Sequence, residues 1–314
     1  MAIHKFVPKV YHTAIGTHEP VLNIKSGDTV ITTTVDAGGV DASGKQVTEG
    51  GNPQTGPFFI EGAEPGDMLS VHFDRLAPNR KFGRSSTVIA PWVLDPQYIK
   101  ECPKGKSSNW QIDLKRWKAT LIEPKTKLGR LKLPLEPMLG CFGVAPPRRQ
   151  AISTATSSTH GGNMDYRGFC QGATVHFPVF VPGALLHVGD GHALQGDGEI
   201  VGTGIEISFD VQFTVRLTKK KPISWPRAEN EEYIMTVGNA RPLDQCVQHA
   251  TTEMVRWLQE DYGLDARGAH LLLGQGVKYD LGNFYDPAYT MVCKVSKALL
   301  AKVAKGKSKK RRRA

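Results

Sequence analysis

Residues 205 to 217 read Ile-Glu-Ile-Ser-Phe-Asp-Val-Gln-Phe-Thr-Val-Arg-Leu, and this stretch decides the fold class. Apolar Ile205, Ile207, Phe209, Val211, Phe213, Val215 and Leu217 alternate with polar Glu206, Ser208, Asp210, Gln212, Thr214 and Arg216. Successive side chains of a strand point to opposite faces, so a period of two predicts one long strand with a core face and a polar face. The strand is expected to start as early as Glu199.

Other strands lie on either side. Thr29 to Val35 is a β-branched run between Ser26-Gly27-Asp28 and Asp36-Ala37-Gly38-Gly39. Met68 to Phe73 follows Glu64-Pro65-Gly66-Asp67, and Ala184 to Val188 runs into Gly189-Asp190. The Gly-Asp pair beside three strand-like runs reads as repeated turn chemistry. With 33 glycines and 20 prolines spread between apolar runs, the expectation is a β-rich α+β chain, a β-barrel or sandwich body with a C-terminal helix-containing portion. After Arg241-Pro242, an apolar stripe of Leu243, Val247, Ala250, Met254, Trp257 and Leu258 predicts a helix that stops at Gly263. A second, short helix is expected over Ala266 to Leu273. Residues 79–130 read as a polar excursion anchored by Trp92, Trp110 and Trp117. No linker divides the chain, so residues 1–300 are taken as one body.

Composition narrows the function classes. At 40% hydrophobic and 22% charged residues the chain has a globular mixture. Its most apolar run, Phe177 to Val188, is too short and too proline-rich to span a membrane. With no apolar leader and five unpatterned cysteines, a soluble, cytoplasmic protein is expected. The net charge of +10 is mostly local: eight lysines and arginines and no acid fall in residues 302–314, leaving a body close to neutral. Residues 301–314 read as a disordered basic tail that could touch nucleic acid or an anionic surface, without the interleaved aromatics of a stacking surface.

Chemically able residues concentrate between 160 and 206. His160-Gly161-Gly162-Asn163-Met164-Asp165 and Gly189-Asp190-Gly191-His192-Ala193-Leu194-Gln195-Gly196-Asp197-Gly198-Glu199 set histidines and acids among glycines, which let the chain bend until neighbouring side chains converge. Imidazole and carboxylate are ligands for a divalent cation: Zn²⁺ foremost, Ca²⁺ or Mg²⁺ as alternatives. The competing reading gives each Asp or Asn a turn of its own. The chain has no Gly-x-Ser-x-Gly elbow, phosphate loop or dinucleotide fingerprint.

Gly140-Cys141-Phe142-Gly143-Val144-Ala145-Pro146-Pro147, the His160 to Asp165 motif, Pro178 to Leu186 and Val188 to Glu199 together resemble the acetamidase/formamidase family. So do Asp36-Ala37-Gly38-Gly39, Thr55-Gly56-Pro57, Glu61 to Asp67, Tyr262-Gly263-Leu264 and Ala269 to Leu300. The resemblance implies hydrolysis of a small amide, formamide or acetamide, to carboxylate and ammonia. It also implies a β-rich fold of its own and a metal held by His160, Asp165, Asp190 and His192, with Asp36 and Glu206 in reserve. On that reading a divalent ion activates water. Glu199, or else Asp197, moves protons. Asn163, the Gly161 and Gly162 backbone and Gln195 face the substrate and its oxyanion. Residues 79–130 depart from the family pattern and are expected to face the substrate. A homodimer is the expected assembly. The alternatives are metal-assisted hydrolysis of a larger or cyclic amide or a urea derivative, and a β-sheet binding protein with a structural metal.

Overall fold

The computed structural model describes residues 1–302; the basic tail lies almost wholly outside them. A nine-stranded sheet runs in the order Ile3–Lys5, Thr29–Thr34, Phe209–Thr218, Met68–Pro78, Thr174–Pro178, Arg227–Glu229, Tyr233–Ala240, Tyr289–Ser296 and Lys278–Asn283. A seven-stranded sheet holds Ser157–Ser158, Gly161–Asn163, Met138–Gly143, Leu186–His192, Gln54–Ile60 and Tyr11–His12, with Leu22–Ile24 also paired to Gln54–Ile60. Phe58, Phe73, Phe142, Phe177, Phe209 and Phe213 are fully buried in one hydrophobic cluster. The molecule is β-rich, as the alternating stretch requires.

The deciding strand is shorter than expected. It spans Phe209–Thr218, where burial alternates strictly until the exposed end. Residues 205–208 are buried on both faces. There Glu206 bridges His192 on one side and Arg84 on the other, so this segment joins the seven-stranded sheet to a third sheet instead of extending the nine-stranded one.

That third sheet is the excursion. Phe82–Ser86, Ser107–Asp113, Lys118–Glu123 and Lys132–Pro134 form an antiparallel sheet of four strands. Trp110 anchors it, buried between Ser85 and Ser108 hydroxyls that accept from its indole N–H. Trp117 is exposed and contributes only its carbonyl, which accepts from the Leu135 N–H at 3.0 Å. Trp92 stands at the surface and donates to the Phe284 carbonyl at 2.8 Å.

One of the three Gly-Asp pairs is not a turn. Gly27 and Gly66 have φ of 95° and 92°, in the left-handed region that glycine adopts freely. Gly189-Asp190 instead lies inside the strand Leu186–His192. A Cβ on Gly189 would come within 2.6 Å of Gln54, and one on Gly191 within 2.1 Å of Phe209. Glycine is needed there for close packing of strand against neighbour.

Helix α1 covers Leu243–Glu260 and packs Ala250, Met254, Trp257 and Leu258 against Ile234, Cys293 and Val295. The buried stripe also holds Glu253, whose carboxylate takes the Arg227 guanidinium at 2.8 Å. Helix α2 covers Ala266–Gly276, with the Asp265 side chain accepting from the Gly268 N–H at 2.7 Å as its N-cap. Among the described residues no helix is long and apolar enough to cross a membrane.

Candidate active site

Where the three sheets meet, five carboxylates and one imidazole converge. Asp165 follows the strand Gly161–Asn163, while Asp190 and His192 end the strand Leu186–His192. Glu199 follows a turn at Gly198, Glu206 sits in the bridge between sheets, and Asp286 follows the strand Lys278–Asn283. Their ligand atoms make three overlapping groups, each within 4.8 Å: Asp165 with Asp190 and His192, His192 with Glu199 and Glu206, and Asp165 with Glu199 and Asp286. Asp165, Asp190 and Glu199 all have positive φ, at 45°, 61° and 48°. Non-glycine residues rarely adopt this conformation, which here turns successive carboxylates toward one point.

Amides orient the acids. Asn283 Nδ2 lies 2.6 Å from Asp165 Oδ2, 3.2 Å from Glu199 Oε2 and 2.7 Å from Asp286 Oδ2. Asn52 Nδ2 donates to Asp190 Oδ2 at 3.0 Å and to Asn163 Oδ1 at 2.8 Å. Asn163 in turn donates to Asp286. Gln195 Oε1 is 2.8 Å from His192 Nδ1, and its Nε2 donates to the Asp165 carbonyl at 2.6 Å. The Gln195 amide, fixed by that second bond, presents its oxygen to accept from Nδ1–H and leaves His192 Nε2 turned inward. Nε2 lies 3.3 Å from Asp190 Oδ1 and 2.9 Å from Glu206 Oε1.

The electrostatics are costly. Burial, then the charges of Glu199, Asp286 and Asp190, pushes the Asp165 carboxyl well above the usual carboxylate range. Burial likewise raises Glu199, raises Glu206 to about 7 and raises Asp286 to about 6. Burial opposes charging His192, yet the Glu206 and Asp190 carboxylates lift its pKa well above the ordinary value. Crowded acids around one imidazole disfavour their own ionisation unless positive charge joins them.

The residues present fit a divalent cation. Asp165 Oδ1 and Glu206 Oε2 are buried without a hydrogen-bond partner, a condition native proteins rarely tolerate. Gly140 leaves the space open: a Cβ there would stand 2.2 Å from Asp165 Oδ1, 2.6 Å from Asp190 Oδ2 and 3.1 Å from His192 Cε1. Carboxylate oxygens with one imidazole nitrogen suit zinc and also harder ions.

Not every residue expected from sequence is brought here. His160 is fully buried but belongs to none of the three groups, and neither ring nitrogen has a partner. Asp197 is exposed and faces Arg167 at 3.5 Å. Asp36 is tied to Arg80 and accepts from the Gly38 and Val40 N–H groups. Gly161 and Gly162 sit mid-ladder between Met138–Gly143 and Ser157–Ser158. Asn52, Asn283 and Asp286 were missed by sequence reasoning. Only the polar turn Asn283-Phe284-Tyr285-Asp286 could have flagged the last two.

These features define a β-rich protein with a buried acid cluster able to hold a metal ion. The family model described as "Acetamidase/Formamidase family" matches residues 114–282, more than half of the chain. The crystal structure of an acetamidase from Yersinia enterocolitica is 32% identical with a TM-score of 0.81, covering 95% of this chain and 93% of that one. A predicted acetamidase/formamidase from Thermoanaerobacter tengcongensis is 28% identical with a TM-score of 0.80, covering 96% and 98%. A Schizosaccharomyces pombe protein carrying a formamidase name is 26% identical over 214 residues, 52% of this chain and 51% of its own length. The chain thus spans about half the length, or less, of the curated relatives it matches. The chain belongs to the acetamidase/formamidase family.

Proposed function

We propose that the chain hydrolyses small linear amides of the formamide and acetamide type to carboxylate and ammonia, with a divalent metal in the acid cluster. The observation that supports this reading is the convergence of Asp165, Asp190 and His192 around the space left by Gly140, beside orphaned carboxylate oxygens. When bound, the ion supplies positive charge that polarises the amide carbonyl and acidifies a water molecule.

The chain's own residues do the rest. Asp165, Asp190 and His192 are the proposed ligands, with Glu199 and Asp286 beside Asp165 as further oxygen donors. Glu206 takes the acid/base role in place of Glu199. It lines the cleft, whereas Glu199 does not and accepts from Asn283 instead. From there Glu206 accepts the water proton and returns it to the departing nitrogen, because an amide anion is too poor a leaving group to go unprotonated. Asn163 gives one N–H to Asp286 and keeps the other for the developing oxyanion. Gln195 holds the His192 ring and tautomer.

The test is ammonia release from formamide and acetamide by purified protein, before and after chelation and after Zn²⁺ is restored. Release lost on chelation and regained with metal is expected. Release indifferent to the chelator would keep the amidase and remove the metal.

A further inference from the structure

The cleft that leads to Glu206 is large for formamide. It measures about 540 Å³ and is walled by Arg84, Ser85, Ser86, Thr87, Lys106, Tyr285 and others of the third sheet and its neighbours. One water occupies about 30 Å³, and acetamide needs roughly two to three times that. Most of the cleft is therefore room for something attached to the amide.

Two cations line that room. Among the described residues neither the Arg84 nor the Lys106 side chain has an ion-pair or hydrogen-bond partner, while nearby Arg80 is spent on Asp36. The Arg84 backbone is also fixed in place. It exchanges two backbone hydrogen bonds with Glu206, donating to its carbonyl at 3.2 Å and accepting from its N–H at 2.7 Å. Residues directly opposite in an antiparallel bridge project to the same face, with Cα atoms about 5.5 Å apart. Arg84 thus leaves the chain next to Glu206 on the same wall, with no ion pair between the two side chains.

From this juxtaposition, and resting on the amidase reading above, we infer that the site's own substrate is a linear amide carrying a carboxylate a few bonds from the amide carbon, held by Arg84 and Lys106. A guanidinium fork matches a carboxylate in two parallel hydrogen bonds, and the Lys106 ammonium adds a point charge. The cations also draw an anion past the acidic floor, which alone would repel it. The reaction is unchanged in its balance: water adds its oxygen to the amide carbon, the C–N bond breaks and nitrogen leaves with the water's proton. The distal carboxylate is not altered.

Malonamate and succinamate are the probes, against neutral butyramide and valeramide of matching size, with formamide assayed in parallel. At low salt, kcat/KM for each charged amide is expected to exceed that of its neutral match at least tenfold. Arg84→Gln with Lys106→Gln should reduce that ratio at least tenfold, and salt should erode it in the native protein but not in the double variant. A charged-to-neutral ratio of one or below in an enzyme that turns over formamide overturns this inference alone. So does a ratio that the double variant leaves unmoved. No ammonia from any of the five amides, in metal-replete protein, overturns the amidase reading and this inference with it.

Discussion

Replacing Gly140 by alanine adds one methyl group to a residue with no chemistry of its own, and should disable the site. Gly140 does not have a positive φ, so alanine is acceptable to the backbone, and the effect is steric. The new Cβ would stand 2.2 Å from Asp165 Oδ1 and 2.6 Å from Asp190 Oδ2. Comfortable contact begins near 3.5 Å, so the carboxylates must retreat by about 1 Å. A misplacement of that size costs about 100-fold in rate when it moves catalytic groups. Overpacking itself costs about 1–3 kcal/mol, which in a chain of this size lowers Tm by only a few degrees. The assay is kcat/KM for formamide, with bound metal counted by elemental analysis and Tm by calorimetry. Gly196→Ala is the control: Gly196 is exposed, and its added Cβ would meet nothing within 4 Å. A folded Gly140→Ala protein with metal content and kcat/KM within threefold of the native values would refute the assignment of Asp165, Asp190 and His192.

The other predictions concern protons. Glu206→Gln should lower kcat by 10²–10⁴ while metal content holds, with Glu199→Gln less severe; the reverse order in steady-state kinetics would return the acid/base role to Glu199. His187 is fully buried, its pKa pushed down to about 3 by burial, then by the His18 and His12 rings, with His160 also facing it. A depressed imidazole contributes stability that is whole above its unfolded pKa near 6.5 and is lost as pH falls toward 3. Unfolding free energy should therefore drop below pH 6.5, and His187→Leu should flatten that drop by up to about 1.4 kcal/mol per pH unit in denaturant titrations; an unchanged slope would show that His187 charges freely in the fold. Asp165→Asn should raise the Tm of metal-free protein while abolishing turnover, and a lowered Tm would mean that its carboxylate is not held against its preference.

What sequence could show depended on whether a residue's environment is local. Phe209 to Leu217 alternates because one face of a single sheet is core, and that pattern reads directly. At Ile205 to Ser208 the same alternation is misleading, since sheets lie on both sides. Helix α1 was legible from its apolar stripe, but buried Glu253 was not, because its burial depends on Arg227, 26 positions away in the chain. In the site, Asp165, Asp190, His192 and Glu199 stood out as acids and imidazole among glycines. Sequence could not separate Glu199 from Asp197, two positions apart, because the turn at Gly198 and the left-handed Glu199 decide which carboxylate goes inward. Asn52, Asn283 and Asp286 come from distant segments and carry no local mark of the acids they orient.

The acid cluster gathers several kinds of cost in one place. Asp165, Asp190 and Glu199 hold backbone conformations that non-glycine side chains resist. Asp165 and Glu206 bury carboxylate oxygens with no donor. Burial and mutual repulsion raise the pKa values of Asp165, Glu199, Glu206 and Asp286 together. A fold selected for stability alone would relieve such costs with glycine or an amide. Turn residues do not need such an arrangement either, because a turn aspartate is satisfied by neighbouring backbone N–H groups, as Asp41 is by those of Ser43 and Lys45. On the proposed function a cation would answer all the electrostatic costs at once: it would pair the orphaned oxygens, offset the repulsion and use neutral His192 Nε2 as a ligand. The left-handed residues would then aim ligands instead of wasting strain. This common remedy is the reason to propose one metal site here rather than a set of separate turns.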